Sequence, residues 1–313
     1  MLNPQLTTVV VNPAAAGGKV GRNWSEMEPE LRAILGDVSF RLSERAGGAA
    51  ELATEAVRKG QKTILSLGGD GTHNEVVNGI MAASPTLGEI AFGVLPSGTG
   101  GDFARILKAP RTPMGAARSL VSAPESSLDV GRVTIESVIP AKTHYFVNVG
   151  TFGITGLVDA LVNESTKVLG GRASFLIGTI RGLLRYKPAT VRLTVDDEPF
   201  GEFEINTVGL GNAQFCGGGM HMIPGADPGD GWFDGIIIEQ RPTWKMLTLV
   251  TSIYKGTHTQ CDFVHTFRAK KLRAELVGEN PAFLDLDGET PGVIPATFEI
   301  VPGALKLLGE LRG

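Results

Sequence analysis

Apolar residues in the first 130 positions fall in short runs separated by stretches of helical period. Thr7-Thr8-Val9-Val10-Val11 reads as a buried strand and Ser25 to Leu35 as a helix. Val38 to Leu42 and Ala49 to Lys59 repeat the pair. Thr63 to Leu67 predicts a third strand, followed by glycines and a helix over Asn74 to Ala83, and Ile90 to Leu95 a fourth strand. This βαβ alternation predicts an α/β domain with a doubly wound, mainly parallel sheet, whose ligands lie beyond the carboxyl ends of its strands. After about Asp129 the pattern changes to alternating runs at Tyr145–Val149, Val191–Val195, Glu204–Leu210, Gly235–Glu239, Leu272–Val277 and Thr297–Val301. Separated by Gly, Pro and Asp turns, they predict a second, mostly antiparallel β domain with inserted helices such as Arg172 to Leu184.

Composition sharpens this picture in three ways. The 42 glycines among 313 residues are many for a globular chain, and they point to tight turns and to backbone approaching a ligand. The net charge of −4 provides no basic field for nucleic acid. Cys216 and Cys261 show no CxxC spacing, so a disulfide framework or zinc site is not expected. The apolar run Val9 to Val11 is too short for a secretory signal, and no segment approaches the ~20 apolar residues that span a bilayer. The expectation is a cytoplasmic protein that meets a membrane only from outside.

Three Gly-rich turns follow strands of the first half. They are Asn12 to Lys19 (NPAAAGGK), Gly68 to Thr72 (GGDGT) and Pro96 to Asp102 (PSGTGGD). Such turns present backbone N–H groups to anions, and a helix start adds to the effect. Neither a Walker A loop nor a GxGxxG fingerprint is present: Pro13 stands at the first Walker glycine and Val20 at its hydroxyl position. Asp70 and Asp102 lie in or at the end of two of these turns, where paired carboxylates suit Mg²⁺ held through water. Either aspartate could instead cap a helix.

The run Gly68 to Gly79 (GGDGTHNEVVNG) closely resembles the signature of the diacylglycerol kinase catalytic domain family, which includes sphingosine and ceramide kinases and bacterial soluble lipid kinases. Val11-Asn12-Pro13, Leu42 to Gly47, Pro96 to Arg105, Leu128 to Gly131, Asn148-Val149-Gly150 and Asp287-Gly288-Glu289 follow in the family's order, so the resemblance covers nearly the whole chain. It implies a phosphofructokinase/NAD kinase-like nucleotide-binding domain over residues 1–130, joined by a C-terminal return over 303–313. It also implies a β-sandwich lipid-acceptor domain over 131–302, with ATP in the cleft between the two. By the same resemblance Asp70, Asp102 and Asp129 support Mg²⁺–ATP through water. Asn12, Ser43, Gly68, Gly69, Gly71, Thr72, Glu75 and Thr99 match nucleotide contacts. Glu289 matches the general base, and Asp227, Asp230 and the Trp232 carbonyl match a structural Mg²⁺ site. Gly101 departs from the pattern by replacing an asparagine.

The expected reaction is transfer of the γ-phosphate of ATP to a lipid hydroxyl. A carboxylate that accepts the hydroxyl proton contributes about 10²–10⁴-fold. The turn at Asp287-Gly288-Glu289 also reads as a plain surface hairpin. Arg172 to Lys187 predicts a basic amphipathic helix that suits an anionic membrane, or simply packs on its own domain. The enzyme alternative is an NAD kinase. A catalytically weak nucleotide-binding regulator is the alternative from another class, motivated by Gly101. The partner expected is a lipid substrate at the membrane surface, without nucleic acid, and a homodimer is left open.

Overall fold

The β-branched runs of the first half form strands buried along their whole length, as parallel sheets covered on both faces require. The computed structural model describes residues 2–83, 86–98, 101–158, 182 and 185–311. The chain divides into two compact units, residues 1–130 with 302–313, and residues 131–301. Strands 125–135 and 296–308 each continue across that division.

Unit 1 contains β1 (Thr7–Val11), α1 (Ala15–Arg22), α2 (Trp24–Leu35), β2 (Ser39–Leu42), α3 (Gly48–Arg58), β3 (Thr63–Gly68), α4 (Asp70–Ala83), β4 (Ala91–Pro96), α5 (Asp102–Arg105), α6 (Pro113–Leu120) and the first residues of β5 (Glu125–Ile135). Its sheet order is β2-β1-β3-β4, all parallel. The chain's last strand then adds to the β4 edge, with Lys306 opposite Ala91 and Leu307 opposite Phe92. Val9, Val11, Leu65, Leu67 and Leu95 from the strands meet Leu31 and Leu35 of α2 and Ala116, Ala117 and Leu120 of α6 in one core.

Helices α3 and α4 lie against each other so closely that a Cβ on Gly79 would come within 2.2 Å of the Ala50 carbonyl oxygen. Thr54 Oγ1 donates to the Gly79 carbonyl at 2.9 Å across the same contact. The last glycine of the signature run is therefore a packing device. It sets how α4, and the turn at its start, sits on the rest of the unit.

Unit 2 continues with β6 (Lys142–Phe146), β7 (Val149–Gly153), β8 (Ala189–Val195), β9 (Glu198–Gly211), β10 (Phe215–Cys216), β11 (Met220–His221), β12 (Phe233–Glu239), α7 (Thr243–Lys255), β13 (Val264–Ala269), β14 (Lys271–Leu276), β15 (Phe283–Leu286) and β16 (Ala296–Leu308). Its registered pairings are antiparallel, with the long β9 joining β12 and β7 at one end and β8 at the other. Phe146, Phe152, Phe233 and Phe298 sit at zero exposure in its core, and the Phe146 ring stacks on Phe233 at 5.6 Å. A Cβ on Gly131 would come within 2.3 Å of the Phe146 ring, so this motif glycine makes room for an aromatic core residue.

Several expectations shift. The run Tyr145–Val149 is not one strand but the end of β6 and the start of β7, broken at Val147-Asn148, whose N–H groups are turned to a side chain. Helix α4 begins four residues early, at Asp70. Helices α6 and α7 and strand β13 were not anticipated. The amphipathic segment 172–187 lies outside the described residues except at 182 and 185–187.

Because Gly79 stands against backbone, Gly79→Ala is expected to destabilise the protein by about 1–3 kcal/mol, the range for overpacking a filled site. Urea denaturation followed by circular dichroism checks this. An unchanged midpoint would show that α3 and α4 can separate without cost.

Candidate active site

Strands β1, β3 and β4 are neighbours in the sheet, so the turns at their carboxyl ends are neighbours too. Side chains and backbone lock them together. From the first turn, Asn12 Nδ2 donates to Thr72 Oγ1 of the second at 2.9 Å, while Asn12 Oδ1 accepts from the Ala14 N–H. The Ser97 N–H of the third turn donates to the Gly68 carbonyl at 2.6 Å. The Asp70 carboxylate accepts from the N–H groups of Asp102 at 3.0 Å and Phe103 at 3.1 Å. A Cβ on Gly68 would fall 2.4 Å from Thr72 Oγ1, and one on Gly98 would fall 3.2 Å from the Gly69 Cα. The glycines thus let three turns close on one another, while a Cβ at Gly71 would meet nothing within 4 Å.

Asp70 does cap a helix, though not its own: it closes the start of α5, about thirty residues on. Each of its oxygens accepts one N–H and keeps a second lone pair. Asp102 is buried and its Oδ1 accepts from Arg105 Nε at 3.2 Å. Asp129 is buried and accepts from the Gly303 N–H at 2.7 Å, tying β5 to the returning chain. Asp70 and Asp129 are held by backbone N–H donors and Asp102 by the Arg105 guanidinium, and each offers only oxygen donors, the kind a hard cation takes through water. Among the described residues no cluster of three or more His, Cys, Asp or Glu side chains forms a direct metal cage.

His73 follows in the first turn of α4. It is buried, and its Nδ1 shares a 2.8 Å hydrogen bond with Ser66 Oγ of β3. Burial pushes its pKa down to about 4, with the Asp70 charge pulling the other way. It is a neutral strut under the turn rather than a ligand.

In unit 2, Leu286-Asp287-Gly288-Glu289 is a two-residue hairpin loop with positive φ at both central positions, 53° and 89°, the Asp-Gly preference of the type I′ turn. The surface-hairpin reading is therefore correct as geometry, and the turn is also clamped. The Asp287 carboxylate accepts from the N–H groups of Val147 at 2.7 Å, Asn148 at 3.0 Å and Val149 at 3.0 Å. Glu289 stands on this anchored turn, exposed to solvent. One strand away, Thr151 Oγ1 lies 3.4 Å from Asp285 Oδ2 and 2.6 Å from Thr155 Oγ1. Thr155 in turn lines an apolar cleft walled by Ile154, Met220, Met222, Met246, Leu249 and Ile253 among others.

The family model of the diacylglycerol kinase catalytic domain matches residues 7–133, and that of the YegS C-terminal NAD kinase beta sandwich-like domain matches residues 148–309. A diacylglycerol kinase of Mycobacterium tuberculosis (strain CDC 1551 / Oshkosh) is 30% identical over 310 residues, covering 98% of this chain and 96% of that protein. The chain belongs to the diacylglycerol kinase family. A diacylglycerol kinase of Staphylococcus epidermidis (strain RP62A) is also 30% identical, over 93% of this chain and 87% of its own. A crystal structure of a diacylglycerol kinase from Bacillus anthracis str. Sterne has the same fold, with a TM-score of 0.70 at 21% identity over 97% and 96% of the two chains. As a member of this family the protein is a phosphotransferase.

Within this kinase the remaining expected residues fare differently. Ser43 follows β2, its N–H bonded to the Val11 carbonyl at 2.8 Å, so it stands beside the first turn. Gly69 is part of the locked turn. Glu75, expected at the nucleotide, instead turns both carboxylate oxygens to the start of α3, accepting from the Gly47 and Ala49 N–H groups at 3.1 Å each. Thr99 lies outside the described residues. Of the set Asp227, Asp230 and Trp232, Asp227 accepts from the Gly229 N–H at 3.0 Å. Asp230 is ion-paired with Arg268 and accepts the Trp232 N–H, while Lys270 Nζ stands 4.6 Å from the Trp232 ring. Arg268 also approaches Asp234 at 3.6 Å. The clamp that Asp287 sets on Val147–Val149, and Thr151, Thr155 and the apolar cleft, were not legible in the sequence. The Asp-Gly pair signals the turn but not its partners, which lie about 140 positions earlier, and the cleft is assembled from segments far apart in the chain.

Gly101 has φ +60°, in the left-handed region, and a Cβ there meets only Ala104 at 3.9 Å. Asparagine is among the side chains best tolerated in that conformation, so the glycine keeps the backbone and removes only an amide. Gly101→Asn is expected to leave the thermal midpoint within about 2 °C, whereas Gly101→Val lowers stability by about 1–3 kcal/mol. Calorimetry of both variants checks this; equal losses would mean that the pocket rejects any side chain.

For His73 the unfolded chain binds a proton below pH 6.5 and the folded one only near pH 4. Stability is thus complete above about pH 6.5 and falls as pH drops toward 4, by up to about 3 kcal/mol for this difference. His144, His221 and His258 are also lowered by burial and act in the same direction. His73→Gln should shrink the fall in urea midpoint between pH 7.5 and pH 4.5. The same fall as in the unaltered protein would remove His73 from the account.

Proposed function

We propose that this kinase carries the γ-phosphate of Mg²⁺–ATP to the hydroxyl of a diacylglycerol-like lipid. The observation that carries the reading is the mutual locking of three Gly-rich turns by Asn12–Thr72, Ser97–Gly68 and Asp70–Asp102/Phe103. Locked turns hold the backbone at the start of α4 in a fixed shape, which suits the triphosphate. Preorganisation of this kind needs no rearrangement as charge moves during transfer. Asp70, Asp102 and Asp129 would hold Mg²⁺ through water, and the ion would offset charge on the phosphate oxygens.

Unit 2 supports the acceptor half of the reading. Its Met-lined cleft suits an acyl chain, with the Thr155–Thr151–Asp285 hydrogen-bond path leading from the cleft wall to the strand that carries the Asp-Gly-Glu turn. Glu289, an exposed carboxylate on a clamped turn, takes the proton of the acceptor hydroxyl as it attacks. The name borne by the relatives favours diacylglycerol over a sphingoid base. A second reading, a nucleotide-binding regulator with weak turnover, draws only on the amide absent at Gly101.

The test supplies the protein with ³²P-labelled ATP, Mg²⁺ and either dispersed diacylglycerol, total lipid extract or NAD. Label is expected in diacylglycerol, with kcat falling about 10²–10⁴-fold in Glu289→Gln while ATP affinity stays within a factor of two. Label in NAD, or a Glu289→Gln enzyme as fast as the original, would contradict the proposal.

A further inference from the structure

Helix α7 has two unlike faces. Met246, Leu249, Val250 and Ile253 point inward and form one wall of the apolar cleft. The opposite stripe, at helical spacing, is Trp244, Leu247, Thr248, Thr251 and Lys255, all exposed. Trp244 is 64% exposed and Leu247 41%, large apolar groups for a helix that is also anchored from within. From Gln240 to Cys261 the chain contains no Asp or Glu, although the protein as a whole is net negative. Lys245 flanks the stripe, its Nζ 5.7 Å from the Trp244 ring, and Lys255 ends it. Arg241, just before the helix, is paired with Glu239; among the described residues neither lysine enters an ion pair.

From this we infer that α7 is a membrane-docking helix, which lies in the surface of an anionic phospholipid monolayer with Trp244 and Leu247 among the headgroups. Three features favour that occupant. Tryptophan's amphipathic ring suits the boundary between water and hydrocarbon. Lysines with no carboxylate beside them are drawn to anionic lipid, whereas a stripe built for a protein partner has no need to exclude acidic residues over twenty-two positions. The cleft also lies directly behind the same helix, so a lipid leaving the monolayer would pass around one helix to reach an apolar wall. The inference rests on the lipid-acceptor reading of that cleft.

Flotation with vesicles separates the two claims. The protein is mixed with vesicles of phosphatidylglycerol and phosphatidylcholine, or of phosphatidylcholine alone. It should float with the anionic vesicles and much less with the neutral ones. Trp244→Ser/Leu247→Ser should reduce the floated fraction at least about tenfold, and Lys245→Gln/Lys255→Gln by a similar factor. These positions face solvent, and an unchanged thermal midpoint confirms that the variants fold. Activity on dihexanoylglycerol below its micellar concentration should be unaltered in both variants, while activity on vesicle-borne diacylglycerol falls with the flotation. Flotation that is insensitive to either variant overturns the inference. So does a variant that turns a dimer into a monomer without changing flotation, because the stripe would then be a subunit contact. If the unaltered protein floats through this stripe yet phosphorylates no lipid, the docking face stands and the lipid-kinase reading fails.

Discussion

The Asp70 carboxylate and the two N–H groups it accepts from, those of Asp102 and Phe103, hold the nucleotide end of the first unit together. Without it the turn after β4 would be joined to its neighbour by backbone alone, through Ser97 and Gly68. With it, a residue of the GGDGT run fixes the helix that carries the next aspartate, so Asp102 cannot be placed independently of Asp70. An ionised acceptor makes each N–H bond stronger than a neutral one would be. The same contact makes the paired carboxylates a single object, and that gives a metal–nucleotide reading more weight than two separate helix caps would carry.

Unit 2 repeats the device with different parts. Asp287 reaches back to the Val147–Val149 backbone and anchors a tight hairpin that would otherwise be held only by its flanking strands. In both units an aspartate in a Gly-containing turn is used first for architecture, and the reactive-looking carboxylate beside it, Asp102 or Glu289, inherits the position. A carboxylate that spends its oxygens on N–H donors is costly to remove, since the buried donors lose their partners. Asparagine at position 70 or 287 would keep one acceptor oxygen and lose the charge.

Local patterns made the strands, the Gly-rich turns and the signature run legible, because each depends on neighbours within a few residues. Partners far along the chain were not legible. Glu75 reads as a nucleotide contact until α3 is seen to need its N–H groups satisfied, and Gly47 lies twenty-eight positions away. Asp129 finds its donor at Gly303, on a strand that returns at the end of the chain. The run Tyr145–Val149 has the alternation of one strand, but Asp287 draws off its backbone donors and splits it. Helix α7 escaped notice because Trp244 and Leu247 are apolar on the side that faces out, which blurs the period a buried helix should show. In the acidic loop at Asp227 to Asp234, Asp230 and Asp234 find Arg268 on a strand more than thirty positions away.

The central claim is that the turns after β1, β3 and β4 act as one phosphate-binding unit, and amide hydrogen exchange with and without Mg²⁺–ATP tests it most directly. Peptides covering 12–19, 68–74 and 96–105 should slow together when nucleotide binds, and Asp70→Asn should weaken the protection of all three. Protection confined to one turn, or a response that Asp70→Asn leaves intact, would contradict the account.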